Sequence, residues 1–214
     1  MIWSEFVQLF ESILFTLTQS LGGQLGAGIL CFSIVIRLAM LPLTLMAMES
    51  ARRHRQALDE LRPELMRLRK RWSKDPRRLA EESGRLFEKN GVSPMNAKAL
   101  LAGVAQMPWI LAAFSAVRSM VKEGGRFLWI GDLTRPDVLL TGLVALLTGA
   151  SVAVQPQLPE QGRWLMLLLP TVCTLLVLSS MSAGVGLFWG GSNLVGLLQA
   201  GLLRRRDNRD ETPA

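Results

Sequence analysis

Few residues in this chain could do chemistry, and they stand far apart. Arg37 is the only charge between residues 12 and 48, with Ser33 one turn before it. An arginine near the centre of a bilayer costs about 2.5–3.5 kcal/mol on insertion scales, so it persists with a partner or with water. The apolar runs around it supply no Asp or Glu, and Glu49 lies three turns on. A watered cavity therefore accounts for Arg37 better than a buried ion pair. In such a cavity its guanidinium would meet polar or acidic groups. Other polar residues set in apolar surroundings could line the same space: Thr44, Gln106, Ser115, Gln155, Thr174, Ser192, Asn193 and Gln199. Catalytic groupings are missing from the sequence. The one histidine, His54, has no ligand partner, and Cys31 and Cys173 sit in apolar runs as small buried hydrophobes. Ser/His/Asp, CxxC, HExxH and phosphate-loop patterns do not occur. Neither an enzyme, a metal nor a cofactor is expected.

The elements that position Arg37 follow from how charge is sorted. Of 214 residues, 24 are Lys or Arg and 17 are Asp or Glu, a net charge of +7. Residues 50–98 hold 14 basic and 7 acidic residues, residues 99–117 hold no charge, and residues 138–203 hold only Glu160 and Arg163. A soluble domain spreads charge over every face, and a disordered chain lacks long apolar runs. Sorted charge points to an all-α, multi-pass membrane protein, and the basic excess reads as the positive-inside signal rather than a nucleic-acid surface. Specific nucleic-acid binding is not expected.

A span needs about 20 apolar residues, with about 17 the lower limit. Five transmembrane helices fit: 21–48, 97–119, 138–154, 164–180 and 184–203. The first holds an apolar run from Leu25 to Met48, and Pro42, Pro108 and Pro170 should bend their spans. Residues 49–96 and the tail 204–214, with Arg204, Arg205 and Arg206, carry the basic excess and so face the cytoplasm. The loop 120–137 is external, and the chain is N-out and C-in. Gly184, Gly186, Gly190, Gly191 and Gly196 make the fifth span a close-packing helix.

Two segments lie outside the spans. In residues 1–20, Ile2, Phe6, Leu9, Phe10, Ile13 and Leu17 recur at helical spacing, which predicts an amphipathic helix in the outer interface. No basic stretch precedes its apolar residues, so it does not read as a cleaved signal peptide. In residues 49–96, Leu58, Leu61, Leu65, Leu68 and Trp72 step by three and four, a coiled-coil seam. Ser73-Lys74-Asp75-Pro76 turns the chain, and Leu79, Leu86 and Phe87 continue the stripe to Asn90-Gly91. A cytoplasmic helical hairpin follows, with Pro63 expected to kink or restart its first arm.

The order of these features resembles the YidC/Oxa/Alb membrane protein insertases over about residues 3–203. The stretch from Gly28 to Leu43, with Arg37 and Leu41-Pro42-Leu43, is similar to the family's first core span. Leu86 to Pro94 resembles the end of its cytoplasmic hairpin, and Gln106-Met107-Pro108 its second span. Phe127 to Asp137 resembles its outer loop, and Gly186 to Leu194 with Gln199 its last span. The resemblance implies a five-helix bundle around a hydrophilic groove open to cytoplasm and lipid. Arg37 would attract substrate there, and Gln106, Gln155, Trp189, Asn193 and Gln199 would line the groove. It also implies nascent membrane proteins as substrates, early capture by the hairpin, a ribosome and the Sec translocon as partners, and a place in the bacterial cytoplasmic membrane. The residues alone leave two other readings open. One is a small secondary transporter or anion channel with Arg37 as its site, although no internal repeat appears. The other is an assembly chaperone without insertion activity.

Overall fold

The computed structural model describes residues 2–93, 95–154 and 163–210. Among these, the regular structure is eight helices: α1 (Ile2–Ser20), α2 (Leu25–Ala39), α3 (Leu41–Arg71), α4 (Pro76–Lys89), α5 (Ala97–Val121), α6 (Val138–Ala153), α7 (Arg163–Ser179) and α8 (Ala183–Asp210). They fall into two compact units. One comprises α1, α2, α5 from Trp109 onward and α6 to α8; the other comprises α3, α4 and α5 as far as Pro108.

In the first unit α8 is the central helix, and its glycines explain why. A Cβ at Gly184 would strike Val121, one at Gly186 would stand 2.9 Å from Leu140, and one at Gly190 3.0 Å from Val144. A Cβ at Gly191 would strike Ser33. The small residues thus let α2 and α6 approach the α8 backbone, the usual device where helices cannot rely on the hydrophobic effect to associate. The contacts also give direction. Gly184, Phe188, Gly191 and Gly196 of α8 meet Ile29, Phe32, Ser33 and Arg37 of α2 in that order, so the two helices run parallel. Gly186, Gly190 and Asn193 meet Leu140, Val144 and Thr148, so α6 runs parallel to α8 as well.

Helix α1 packs antiparallel against α2: Phe10 stands edge-on to Phe32, and Thr18 fills the space that a side chain at Gly28 would need. Its buried stripe is Phe10, Leu14 and Thr18, one turn apart, while Ile2 and Leu9 stay exposed. Phe6 and Phe10 also meet the Trp109 ring at 5.6 and 5.7 Å between centroids. The helix expected at 1–20 is therefore present, but its stripe is shifted from the expected one and is covered by α2 and α5.

The segment between α5 and α6 is held by specific turns. Phe127 and Ile130 exchange backbone hydrogen bonds of 2.9 and 2.8 Å, with Leu128 at the tip in the left-handed region (φ 51°). Leu133 is fully buried, and its carbonyl accepts from Gly184 N–H while that of Arg135 accepts from Ala183 N–H. This fastens the segment to the start of α8. Asp137 caps α6, accepting from Leu140 N–H at 2.7 Å, and Trp129 Nε1 donates to the same carboxylate at 3.3 Å.

The second unit contains the paired helices. Leu61 is buried and Leu58, Leu65, Leu68 and Trp72 are half-buried, with exposed residues between them, so the seam of three and four is the contact face. Pro76 opens α4 behind Asp75, whose carboxylate accepts from Arg78 N–H at 3.1 Å. Trp72 lies between Arg71 and Arg78, whose guanidinium carbons stand 5.5 and 5.1 Å from its ring centroid. Gly91 takes the left-handed conformation (φ 64°) that ends α4.

Three expectations need correction. The bend expected at Pro42 takes the form of a break, so the run Leu25–Met48 is not one helix: α2 ends at Ala39 and α3 begins at Leu41, with Pro42 in its first turn, where a missing N–H costs nothing. Helix α3 then continues through Met48 to Arg71, so the first arm of the hairpin begins without a break. Of the two outcomes expected at Pro63, a kink or a restart, the restart does not occur, because the proline is solvent-exposed and water can reach the freed carbonyl one turn earlier. Cys173 is exposed on α7 rather than buried, and Cys31 is half-buried.

Candidate functional site

Arg37 stands in the last turn of α2 and is half-buried. Its guanidinium lies over Gly196 of α8, with Nη2 3.1 Å from where a Cβ at 196 would be. The buried Nε has no hydrogen-bond partner, and among the described residues Arg37 makes no ion pair. One turn earlier Ser33 is fully buried against Gly191 and donates to the Leu30 carbonyl at 2.8 Å. Gln199, three residues beyond Gly196, is half-buried, and its Nε2 is buried and unpartnered too. Arg37 Nε at the α2–α8 seam and Gln199 Nε2, three residues after Gly196 on α8, are thus both buried donors without a partner. Unmet donors in apolar surroundings cost about 1–3 kcal/mol each, which makes them sites for water or a passing acceptor.

The remaining expected site residues are placed differently. Asn193 is turned to α6: its Nδ2 donates to Thr148 Oγ1 at 2.7 Å, and its carbonyl accepts from Ser151 Oγ at 3.4 Å. One amide hydrogen bond and one backbone acceptance thus clasp it to α6. Trp189 is half-buried on α8. Gln106 is half-buried on α5 within the other compact unit. Gln155 lies outside the described residues. Gly196 is the residue that spacing alone did not single out for the site; its signal was its membership in the glycine series of the fifth span. Thr148 carried no signal beyond being a hydroxyl in an apolar run. Among the described residues no group of three or more His, Cys, Asp or Glu could hold a metal.

The helices around this seam are apolar outward. Leu139, Leu143 and Leu146 of α6 and Leu165, Leu168, Leu169 and Leu176 of α7 are exposed. Contiguous exposed apolar surface of this extent marks contact with lipid or another apolar partner. Among the described residues α5 is by itself long and apolar enough to cross a membrane. The broken pair α2 and α3 qualifies only as one span, and α6 and α7 are shorter apolar helices. This is the architecture of an all-helical membrane protein with a lone cation at a helix seam.

The comparisons with known proteins agree. The family model described as 60Kd inner membrane protein matches residues 16–210. Membrane protein insertase YidC 1 of Streptococcus pyogenes serotype M6 is 33% identical over 211 residues, covering 94% of this chain and 74% of the relative. Membrane protein insertase YidC of Enterococcus faecalis is 36% identical over 160 residues, covering 70% of this chain and 54% of that protein. The counterpart in Prosthecochloris aestuarii is 28% identical, and the match spans only 36% of its length. A crystal structure of an active YidC insertase with its first transmembrane domain resolved shares the fold, at a TM-score of 0.64 and 21% identity, over 90% of this chain and 45% of that one. The chain belongs to the 60Kd inner membrane protein family, the family of the YidC insertases. That membership gives the transporter and channel reading no support.

Proposed function

We propose that the chain is a membrane protein insertase that eases nascent segments into the bilayer past Arg37. The observation that carries the reading is an arginine with a buried, unpartnered Nε and no ion pair among the described residues, held over a glycine of α8. Moving a polar stretch through hydrocarbon is costly because each unsatisfied backbone group costs several kcal/mol. A cation and amide donors in a watered recess lower that cost for acidic or polar stretches. The hydrophobic part of the client then partitions into lipid, which drives the step without ATP. No side chain acts as a catalyst of covalent chemistry.

In this reading the chain has five spans, N-out and C-in, in the bacterial cytoplasmic membrane. Parallel α2, α6 and α8 are what that topology requires of the first, third and fifth spans. Helix α1 lies on the outer side, the α3–α4 hairpin receives clients in the cytoplasm, and a ribosome or the Sec translocon delivers them. Arg37 and Gln199 are the groove donors; Gln106, Gln155 and Trp189 are assigned to the groove by resemblance. The test is depletion of the protein followed by quantitative proteomics of the membrane fraction. Small membrane proteins with short polar outer tails should fall. An unchanged membrane proteome, with normal insertion of such clients into reconstituted vesicles, would remove the insertase reading.

A further inference from the structure

We propose that a cavity beside the C-terminal end of α5 binds the phosphate of an anionic lipid. The cavity is about 300 Å³ and lies wholly within the first unit. Arg118, in the last turn of α5, and Lys122, immediately after the helix ends, both line the cavity. Both are exposed, and neither makes an ion pair among the described residues. Five other arginines, Arg53, Arg77, Arg78, Arg85 and Arg135, each reach an acid three or four residues away. Two like charges this close repel, a repulsion that an anion between them reverses.

The opposite wall adds a donor. Ser182, between α7 and α8, has a hydroxyl that donates to no group among the described residues. Two further hydroxyls at the cavity are already committed: Ser180 donates to the Val177 carbonyl at 2.9 Å and Thr134 to Asp132 at 2.6 Å. The free donors are thus a guanidinium fork, an ammonium and one hydroxyl, a set suited to the several oxygens of a phosphate. Phe114, Val121 and Val185 make the remaining lining apolar.

A lipid headgroup fits better than free phosphate because of what continues from the site. Leu111 lies two turns before Arg118 on the same face and is 53% exposed. A phosphate held at Arg118 and Lys122 would leave its acyl chain lying along this face. Choline-type headgroups carry their own cation against the Arg118–Lys122 pair and are disfavoured. This step rests on α5 being a span that ends outward at Val121; the phosphate contacts do not.

The experiment reads lipid retained by the full-length protein, extracted from bilayers of equal phosphatidylglycerol and phosphatidylcholine, by native mass spectrometry. The wild type should retain phosphatidylglycerol preferentially. Arg118→Gln with Lys122→Gln should lower that retention roughly tenfold or more, as loss of charge-assisted hydrogen bonds implies. Arg118→Lys should keep much of it, and Arg126→Gln, on the neighbouring exposed loop, should change nothing. Equal retention by wild type and double variant, or an equal loss in Arg126→Gln, would overturn the site. Displacement of the lipid by millimolar inorganic phosphate would overturn the lipid source and assign the site to free phosphate. Crosslinking of an acidic client segment at position 118 in place of lipid would overturn it as well. Retained lipid does not depend on insertion activity, so failure of the insertase reading shows separately in the depletion experiment.

Discussion

Arg37 decides more than any other residue, and its environment makes the decision testable. A structural ion pair that loses one partner typically costs about 3–5 kcal/mol, because the other charge is left buried alone. Arg37 has no acid to orphan among the described residues, so Arg37→Ala should fold and melt close to the wild type while losing insertion of clients with acidic tails. Arg37→Lys keeps the charge without the planar fork and should retain part of the activity. Gly196→Val places a side chain where the guanidinium lies. It should impair the same clients, and the double variant should be no worse than the worse single, since coupled residues are not additive. Full additivity, or an unfolded alanine variant, would show that Arg37 is structural. A second residue-scale expectation concerns Asp132, outside the spans. A hydrogen bond from the Thr134 hydroxyl, then one from its backbone N–H, then the charge of Arg135, hold this carboxyl below the usual carboxylate range. The stability it contributes is fully present above its unfolded value and is lost only as pH falls through the lower folded value. A ¹³C titration of the carboxyl should therefore show a depressed midpoint that Thr134→Ala raises toward the ordinary one; an unmoved midpoint would refute the assignment. The sequence revealed Arg37 because a lone charge in an apolar run is conspicuous. It could not reveal that Asn193 is spent on Thr148, since an amide on a helix does not announce which neighbour it meets.

At the scale of elements, the hairpin and the glycine helix were legible and the break at Met40 was not. Leu58, Leu61, Leu65, Leu68 and Trp72 repeat at coiled-coil spacing, and the partner arm starts at a proline behind an acidic cap, both local signals with one structural solution. The break falls inside an apolar run interrupted only by Arg37, where hydropathy has no feature to mark it; only Pro42, expected to bend the span, pointed to it, and a proline two residues later fits a new first turn as well as a bend. Leu61 is the buried member of the seam, at 8% exposure. Leu61→Ala should loosen the paired helices, at a cost near the low end of the ~2–5 kcal/mol range for core truncations, because a two-helix contact can partly collapse. Hydrogen exchange over residues 58–87 should rise while exchange in α6 and α8 stays unchanged. Deleting residues 52–90 should leave the spans assembled and impair client capture. Normal insertion of every client by the deletion would show that the hairpin is not a capture device.

For the molecule as a whole, the question is which way each helix crosses. Charge counting predicts which side each end faces, and packing gives helix directions relative to one another, by independent physics. Lys and Arg resist translocation, so in the proposed topology the blocks at 50–98 and 204–214 face the cytoplasm. The small-residue contacts of α8 run in the same order along α2 and α6, so these three helices share one direction. Two parallel neighbours in sequence order must be separated by an odd number of further crossings. In the proposed topology the crossing between α2 and α6 is α5, the helix among the described residues that is long and apolar enough to make it alone. Between α6 and α8 it is α7, whose 17 residues span about 25 Å at ~1.5 Å per residue, short of the ~30 Å hydrocarbon core. A short span is met by local thinning of the bilayer or by lipid headgroups drawn inward, each at a modest cost. If α7 crosses, a cytoplasmic-active reporter fused after Gly91 or after Arg206 should be active and one fused at Gly124 should be silent. A reporter at Ser182 should then be silent as well. Activity at Ser182 together with silence at Gly124 would mean that α7 enters and returns on one side. That result would contradict the parallel packing of α6 and α8, and with it the five-span topology. A cysteine introduced by Arg37→Cys, on a Cys31→Ser and Cys173→Ser background, adds the depth measurement. Labelling by an impermeant thiol reagent from the cytoplasmic side alone places the α2–α8 seam in a recess open to that side. Labelling from the outside alone would invert the topology and leave the polar end of a client no watered path from the side on which it is made.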